Sequence, residues 1–298
     1  MVTALDPIRL AEFRGLLQPW ATAVRRDLPW RRTRDPWLVL VSEVMLQQTQ
    51  VSRVLPKWEA FVERFPTVRD CADAPQSDVV RLWEGLGYHR RAVMLHRCAQ
   101  TIRDVHDGTV PCSLADLRAL PGVGPYTSRA IRVFAYEIDD AVLDTNVGRI
   151  VARAIAGAPC AGTDAQRLAD SLVPPGDGWS WNQGMLDLGA LICTKRRPHC
   201  EACPVRAVCQ WRRSDPHATA DPATGSAGVS TPQSTFAGSD RQGRGRMLAE
   251  LRGRHEGIVV TSIGGATGWN DEDRIARVLH SLVADGIAIV EHGVVRLR

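Results

Sequence analysis

The chain has 298 residues, of which 44% are apolar, 23% charged and 6% aromatic. That is enough to bury sizeable cores in two domains, and it excludes a disordered or fibrous protein. No apolar run reaches the roughly 18 to 20 residues that a bilayer span needs, and the start, Met1-Val2-Thr3-Ala4-Leu5-Asp6, has no basic stretch followed by an apolar one and no small-residue cleavage site. No membrane association and a cytoplasmic location are expected. The net charge is +4, with 28 basic against 23 acidic residues over 1–213 and 9 against 10 over 214–298. Lys57 and Lys195 are the only lysines, so the positive excess of the first part is carried by arginine. Its planar guanidinium suits phosphate, although a bias toward arginine codons accounts for the pattern equally well.

From Pro7 to about Cys209 apolar residues recur with the 3.6-residue period of helices, separated by short connections marked by Pro, Gly or Asp. Helices are predicted over 35–48, 51–64, 77–84, 90–105, 126–135, 146–156 and 181–192. In the first of these, Trp37, Leu38, Val39, Leu40, Val41, Val44, Met45 and Leu46 surround the axis almost completely, the mark of a buried helix. Glu43 lies among them, with Val39, Leu40, Leu46 and Gln47 as its neighbours three and four residues away. Such a setting disfavours the ionised carboxylate and suits a proton donor near neutral pH; a glutamate at the helix edge that reaches solvent is an equally good reading. Gln47, Gln48 and Tyr88 carry groups able to read or wedge bases, but each taken alone is better explained as a surface or packing residue.

Further along, Leu120-Pro121-Gly122-Val123-Gly124 separates two helical segments, and Pro125 occupies a position that a helix's first turn tolerates. Gly122, Val123 and Gly124 can form a tight turn that presents backbone N–H groups to a phosphate, or an ordinary interhelical turn. Asp144, in Val142-Leu143-Asp144-Thr145-Asn146-Val147, is placed to cap the next helix; a capping carboxylate held ionised by backbone N–H groups can also face a developing cation.

Cys193, Cys200, Cys203 and Cys209 fall within seventeen residues. In a cytoplasmic chain this density indicates a metal site rather than a disulfide framework, and both an iron–sulfur cluster and a zinc ion fit it. Lys195, Arg196 and Arg197 lie inside the first interval. Cys71, Cys98, Cys112 and Cys160 are scattered and are expected as small buried apolar residues.

Residues 214–239 are rich in Ser, Thr, Ala, Gly and Pro and nearly lack large apolar residues, which predicts a flexible linker. Beyond it, a helix over 245–252, a short strand over 258–262, a helix over 272–284 and a hairpin of 287–291 with 294–297 predict a small winged-helix-like module over 240–298.

Taken together, the segment Ser42-Glu43-Val44-Met45-Leu46-Gln47-Gln48-Thr49-Gln50-Val51, then Gly85-Leu86-Gly87-Tyr88, the Leu-Pro-Gly-Val-Gly hairpin, Leu143-Asp144-Thr145-Asn146-Val147 and the four-cysteine loop resemble the MutY adenine DNA glycosylases in the family's own order, over about residues 10 to 212. The resemblance implies a mainly α, helix-hairpin-helix glycosylase fold of two helical lobes over 1–213, with a 4Fe-4S cluster on Cys193, Cys200, Cys203 and Cys209, followed by the small α/β module. It also implies a monomeric, nucleoid-associated enzyme whose partner is double-stranded DNA with adenine opposite 8-oxoguanine or guanine.

In the family's pattern Glu43 protonates the flipped adenine and Asp144 stabilises the sugar cation. Tyr126 and Asn146 match assisting positions, Trp30, Arg31, Leu46 and Asp187 match pocket positions, and Gln48 and Tyr88 match residues that wedge near the opposite base. Tyr126 stands where lyase-active endonuclease III-like relatives carry lysine, so little or no lyase activity is implied. A thymine–guanine mismatch glycosylase, which also carries Tyr there but lacks the Glu43 motif, and a non-catalytic DNA-binding iron–sulfur protein are the alternatives. The C-terminal region does not match the Nudix-like domain found in many family members.

Overall fold

The computed structural model describes residues 6–214, 220–226 and 235–298. Helix α1 (Pro7–Val24) is capped by Asp6, whose carboxylate accepts from the Arg9 N–H, and a 3-10 turn follows over Pro29–Arg31. Next come α2 (Pro36–Leu46), α3 (Val51–Arg64), α4 (Val68–Asp73), α5 (Gln76–Leu82), α6 (Arg90–Val105), α7 (Leu114–Ala119) and α8 (Pro125–Tyr136). They are followed by α9 (Thr145–Ile150), α10 (Gly162–Leu172), α11 (Gly178–Asp187) and α12 (Gln210–Ser214). The C-terminal part contains α13 (Asp240–Gly253), β1 (Ile258–Val259), α14 (Val260–Ile263), α15 (Glu272–Ala284), β2 (Ala288–Glu291) and β3 (Val294–Leu297). The fold is mainly α with one small sheet, as the sequence indicates.

The chain forms two compact units. One comprises the described residues of 1–36, 112–114 and 124–232, the other those of 37–111, 115–123 and 233–298. In the first, Phe13 and Leu17 of α1 pack on Trp181 and Met185 of α11, with the Phe13 and Trp181 ring centroids 6.0 Å apart. Gly184 permits this approach: a Cβ there would lie 2.8 Å from that of Ala21. The helices predicted over 146–156 and 181–192 each have two parts. α9 continues into a wide π turn at Val151–Ala156 and α11 into another at Leu188–Ile192, where the Cys193 N–H reaches back five residues to the Leu188 carbonyl at 2.7 Å.

Part of the stretch read as a linker is packed on this unit. Ala223 and Ser226 are buried, Asp221 pairs with Arg153 at 2.6 Å, and the Trp211 indole donates to the Ala220 carbonyl at 2.9 Å. Small residues and a single carboxylate make these contacts, which composition alone does not reveal. Residues 215–219 and 227–234 of the stretch lie outside the described residues.

In the second unit Leu40, Val54, Trp58, Phe61, Phe65 and Trp83 form a core in which Phe61 meets Phe65 and Trp83 edge-on at 5.1 and 6.2 Å. The Trp37 and Trp58 indoles donate to the Phe65 and Leu38 carbonyls. The C-terminal sheet is antiparallel in the order β1-β3-β2, with Ile258 and Val290 both opposite Val295. His292 and Gly293 close the predicted hairpin in the left-handed conformation that a two-residue turn requires.

The strand predicted over 258–262 is only two residues long. The Val260 N–H bonds the Gly293 carbonyl in the hairpin turn at 2.9 Å, so no strand remains beyond it to pair with, and the chain turns into α14. The scattered cysteines also divide: Cys71, Cys98 and Cys160 are buried, but Cys112 is exposed.

Candidate active site

Glu43 sits in the middle of α2 and is 5% exposed, surrounded along the helix by buried Val39, Leu40, Val44 and Met45. The all-round apolar pattern therefore buries the carboxyl-bearing residue, and the solvent-reaching reading does not hold. The end of α2 is fastened by a residue the sequence analysis did not single out. Arg91, in the first turn of α6, donates through Nη1 to the carbonyls of Val44, Met45 and Gln47 at 2.8, 3.0 and 2.6 Å. Through Nη2 it reaches Thr49 Oγ1, the Leu86 carbonyl and the Gly87 carbonyl at 3.0, 3.1 and 3.2 Å.

One guanidinium thus satisfies the final carbonyls of α2 and the loop of residues 85–88 together. Burial lowers the pKa of Arg91 to about 10, still well above neutrality. Both wedge candidates beside this guanidinium have strained backbones: Gln48, following α2, has φ +56°, and Tyr88, following Gly85 and Gly87, has φ +48°. Tyr88 is 42% exposed and its ring lies 5.5 Å from the Arg91 guanidinium. Leu46, in the last turn of α2, is partly buried.

The hairpin after α7 has the features read from its glycines. Gly122 adopts φ +78° with its Cα packed so close to Met94 that a Cβ would lie 2.8 Å from the Met94 Cβ. Val123 is buried and its N–H bonds the Leu120 carbonyl at 3.2 Å. Gly124 is the N-cap of α8, Pro125 opens that helix, and Tyr126 follows, partly buried, in its first turn.

In the first unit Asp144 caps α9 as its sequence position indicates. Oδ1 accepts from the Asn146 and Val147 N–H groups at 2.8 and 2.7 Å, and Oδ2 accepts from the Asn146 side-chain amide at 2.8 Å. Burial is the largest influence on this carboxyl and pushes it above its ordinary value; the three donors and the nearby Arg149 oppose that rise without cancelling it. The expectation of a carboxylate secured in its ionised form by N–H groups alone is therefore incomplete, because desolvation outweighs them.

A second arginine missed at the sequence level connects Asp144 with the cysteine loop. Arg149, 4% exposed, donates to Asn146 Oδ1 at 2.8 Å, to the Gly189 carbonyl at 2.7 Å and to the Cys193 carbonyl at 2.6 Å. Nothing in the spacing separates Arg149 from the many solvated arginines of the chain. Its signal is position: five residues after the capping aspartate, it lies on a helix that the cysteine loop must cover.

Trp30 and Arg31 are buried in the 3-10 turn. Arg31 makes two hydrogen bonds to Asp187, 2.8 and 2.9 Å long, and Arg26 adds a third at 2.6 Å. Burial acts to raise the Asp187 pKa, but the two guanidinium groups outweigh it and hold the carboxyl below the usual carboxylate range. Asp187 is thus committed to Arg26 and Arg31 within this unit.

Cys193, Cys200, Cys203 and Cys209 line one cavity together with Ile150, Leu188 and Trp211. Guanidinium groups face the sulfurs: Arg153 Nη1 is 3.4 Å from Cys193 Sγ, and Arg212 Nε is 3.4 Å from Cys200 Sγ. Among the described residues no three Cys, His, Asp or Glu side chains converge tightly enough to hold one metal ion. Four thiols around one cavity are a donor set that either a zinc ion or an iron–sulfur cluster accepts.

Residues 41–175 match the HhH-GPD superfamily of base excision DNA repair proteins. Over 277 residues the chain is 40% identical to the adenine DNA glycosylase of Mycolicibacterium smegmatis, covering 91% of this chain and 90% of the relative. The chain belongs to the adenine DNA glycosylases. Its likeness to the human adenine DNA glycosylase is 38% over 222 residues, 70% of this chain but 41% of the human protein. The mycolicibacterial match is long enough to reach into residues 240–298, so an adenine DNA glycosylase of similar length shares part of the C-terminal module.

Among solved structures, a thermostable thymine-DNA glycosylase superposes with a TM-score of 0.65 at 28% identity, covering 70% of this chain and 98% of that one. A trapped endonuclease III–DNA covalent intermediate superposes with a TM-score of 0.59 at 21% identity, which establishes the shared helix-hairpin-helix fold. As a member of the family the protein is a DNA glycosylase of base excision repair. Among the described residues no helix is long and apolar enough to cross a membrane.

Proposed function

We propose that the enzyme removes adenine paired with 8-oxoguanine or guanine and leaves the abasic strand uncut. The observation that carries this reading is the 40% identity, over nine-tenths of the chain, to adenine DNA glycosylases, in a sequence that has Glu43 on a buried helix and Asp144 as a helix cap. Extruding a mispaired base costs a few kcal/mol. Once adenine is out of the stack, Glu43 gives its proton to N7, and the glycosidic electron pair leaves with the base. Asp144, as carboxylate, faces the positive sugar that remains. Water then adds to the anomeric carbon and its proton returns to Glu43. General acid assistance of this kind contributes roughly 10²- to 10⁴-fold.

Asn146 positions Asp144, and Tyr126 assists beside the sugar. Trp30, Arg31 and Leu46 serve adenine recognition in this reading, while Asp187 acts through its pairing with Arg31. Gln48 and Tyr88 meet the opposite base, and Gly122, Val123 and Gly124 with the start of α8 hold a phosphate. Strand cleavage through a Schiff base needs an amine nucleophile. The two lysines, Lys57 on α3 and Lys195 in the cysteine loop, match no motif position, and Tyr126 occupies the hairpin position where an amine would act.

Cys193, Cys200, Cys203 and Cys209 would hold a 4Fe-4S cluster, which supplies cross-linking to a loop too short to have its own core. The cavity that all four line, with Arg153 and Arg212 facing sulfur, suits an anionic thiolate-bound group, and membership of the family favours the cluster over zinc. In this reading the enzyme acts as a monomer on double-stranded DNA at the nucleoid.

The test is base release from duplexes carrying adenine opposite 8-oxoguanine, guanine, cytosine or thymine, and thymine opposite guanine, each read before and after alkali. Alkali-dependent breaks confined to adenine strands opposite the two purines are expected, abolished by Glu43→Gln with DNA binding retained. Thymine release opposite guanine, or strand breaks without alkali together with a borohydride-trapped adduct in good yield, would overturn the reading.

A further inference from the structure

Residues 235–298 are packed on the surface of α5 and α6, around the loop that carries Tyr88. Gln76 donates to the Gly286 carbonyl at 2.7 Å, and a Cβ on Gly286 would lie 3.1 Å from Arg97 Nη2. Arg81 donates to the Arg252 carbonyl and lies 3.3 Å from His255 Nδ1. Beside the loop itself, Arg252 donates to His89 Nε2 at 3.1 Å and pairs with Glu84 at 3.5 Å, while Arg90 lies 3.7 Å from Asp285. Burial, with Arg252, Arg244 and Arg91 nearby, pushes His89 down to about 4, which leaves it a neutral acceptor for Arg252.

Gly85, Gly87 and Tyr88 in the loop between these contacts all have positive φ, which the glycines adopt readily but which is unfavourable for Tyr88. A non-glycine residue in that conformation costs roughly 1 kcal/mol and persists only where its surroundings over-determine it. Arg91 fixes the loop from the α2 side; Arg252 and Asp285 hold the residues that flank it, Glu84, His89 and Arg90, from the C-terminal side.

The module's own charge does not suit direct binding to DNA. The exposed start of α15 presents Asp271, Glu272 and Asp273, and residues 235–298 are close to neutral, with 9 basic against 8 acidic groups. Five of those nine arginines are ion-paired within the second unit, to Asp285, Glu84, Glu250, Asp240 and Glu291. Phosphate contacts need uncommitted cations.

We propose that the C-terminal module is a brace for the Tyr88 loop, and that it influences opposite-base selection through the loop's geometry. Arg252 is the principal positioning residue, with Asp285 second. The effect on base selection rests on the reading that Tyr88 faces the opposite base; the brace does not.

Two readouts on the full chain separate these. Hydrogen exchange of the amides of residues 85–91 in free protein is expected to quicken roughly tenfold in Arg252→Ala. The ratio of single-turnover adenine release opposite 8-oxoguanine to that opposite guanine is expected to fall roughly three- to tenfold. Arg277→Ala, on the exposed side of α15, should alter neither. If Arg252→Ala does not fold, Asp285→Asn carries the same readouts.

Loop exchange unchanged in a folded variant overturns the brace, as does weakened DNA binding in Arg277→Ala with loop exchange unaltered in Arg252→Ala, which would indicate direct DNA contact. Faster loop exchange with an unchanged base ratio keeps the brace and removes Tyr88 as the reader of the opposite base.

Discussion

The Asn146 side-chain amide donates to Asp144 Oδ2 at 2.8 Å, and the same side chain accepts from Arg149 through its oxygen at 2.8 Å. One carboxamide thus connects the carboxylate proposed to face the sugar with a buried guanidinium that also holds the Cys193 carbonyl. Replacing Asn146 by Ala removes one donor from Asp144 and one acceptor from Arg149. Loss of a single hydrogen bond to a charged group is worth about 1.5–3 kcal/mol. Single-turnover adenine release should slow roughly 10- to 100-fold with affinity for an uncleavable duplex little changed. An equal loss in binding would show that the change is a general disruption.

The pH profile follows from the burial of Asp144. Its folded-state pKa is raised, first by desolvation, while its proposed role needs the charged form. Activity should therefore fall as the pH drops through a value above that of a solvent carboxylate. Asn146→Ala, by removing a donor that favours the charged form, should move this acid limb to higher pH. A limb in the same place in both proteins would assign it to another group.

Asp187 gives the opposite sign. Its carboxyl is held low by Arg31 and Arg26 against the effect of burial, so its stabilisation is complete above the unfolded-state value and is lost as the pH falls through the folded-state value. Asp187→Asn leaves Arg31, whose side chain is 6% exposed, without its partner. A cost of about 3–5 kcal/mol is expected at neutral pH, and urea unfolding should show the gap between mutant and wild type narrowing in acid. A gap that stays constant with pH would mean that the pairing is not its source.

Gln48 has φ +56°, a conformation that glycine adopts without the steric penalty of a Cβ. Gln48→Gly should match or exceed the wild type in stability, by up to about 1 kcal/mol, while losing part of the preference for 8-oxoguanine over guanine. A clear fall in melting temperature would show that the side chain's contacts outweigh its backbone strain.

The features legible in the sequence are those with local causes. An apolar residue at every turn of α2 leads to the burial of Glu43, a carboxylate two residues ahead of Asn146 leads to the cap on α9, and glycines at 122 and 124 lead to the hairpin. The arginines were not legible. Arg91, Arg149 and Arg153 are indistinguishable in sequence from the many that stay solvated, because what buries them is a set of carbonyls and sulfurs brought in from residues 40 or more positions away. β1 is shorter than its β-branched run suggests for a related reason: the run is visible in the sequence, but where its partner strand ends is not.

Asp221 gives the buried Arg153 a counter-ion at 2.6 Å, and Ala220 accepts from Trp211. Cutting the protein back to residue 213, the boundary suggested by composition, would strip a cation beside Cys193 of its compensating charge and leave an indole without its acceptor. A minimal catalytic fragment has to keep the chain through residue 226, and the iron–sulfur cluster proposed for the cysteine loop should be lost more readily from any version that ends sooner.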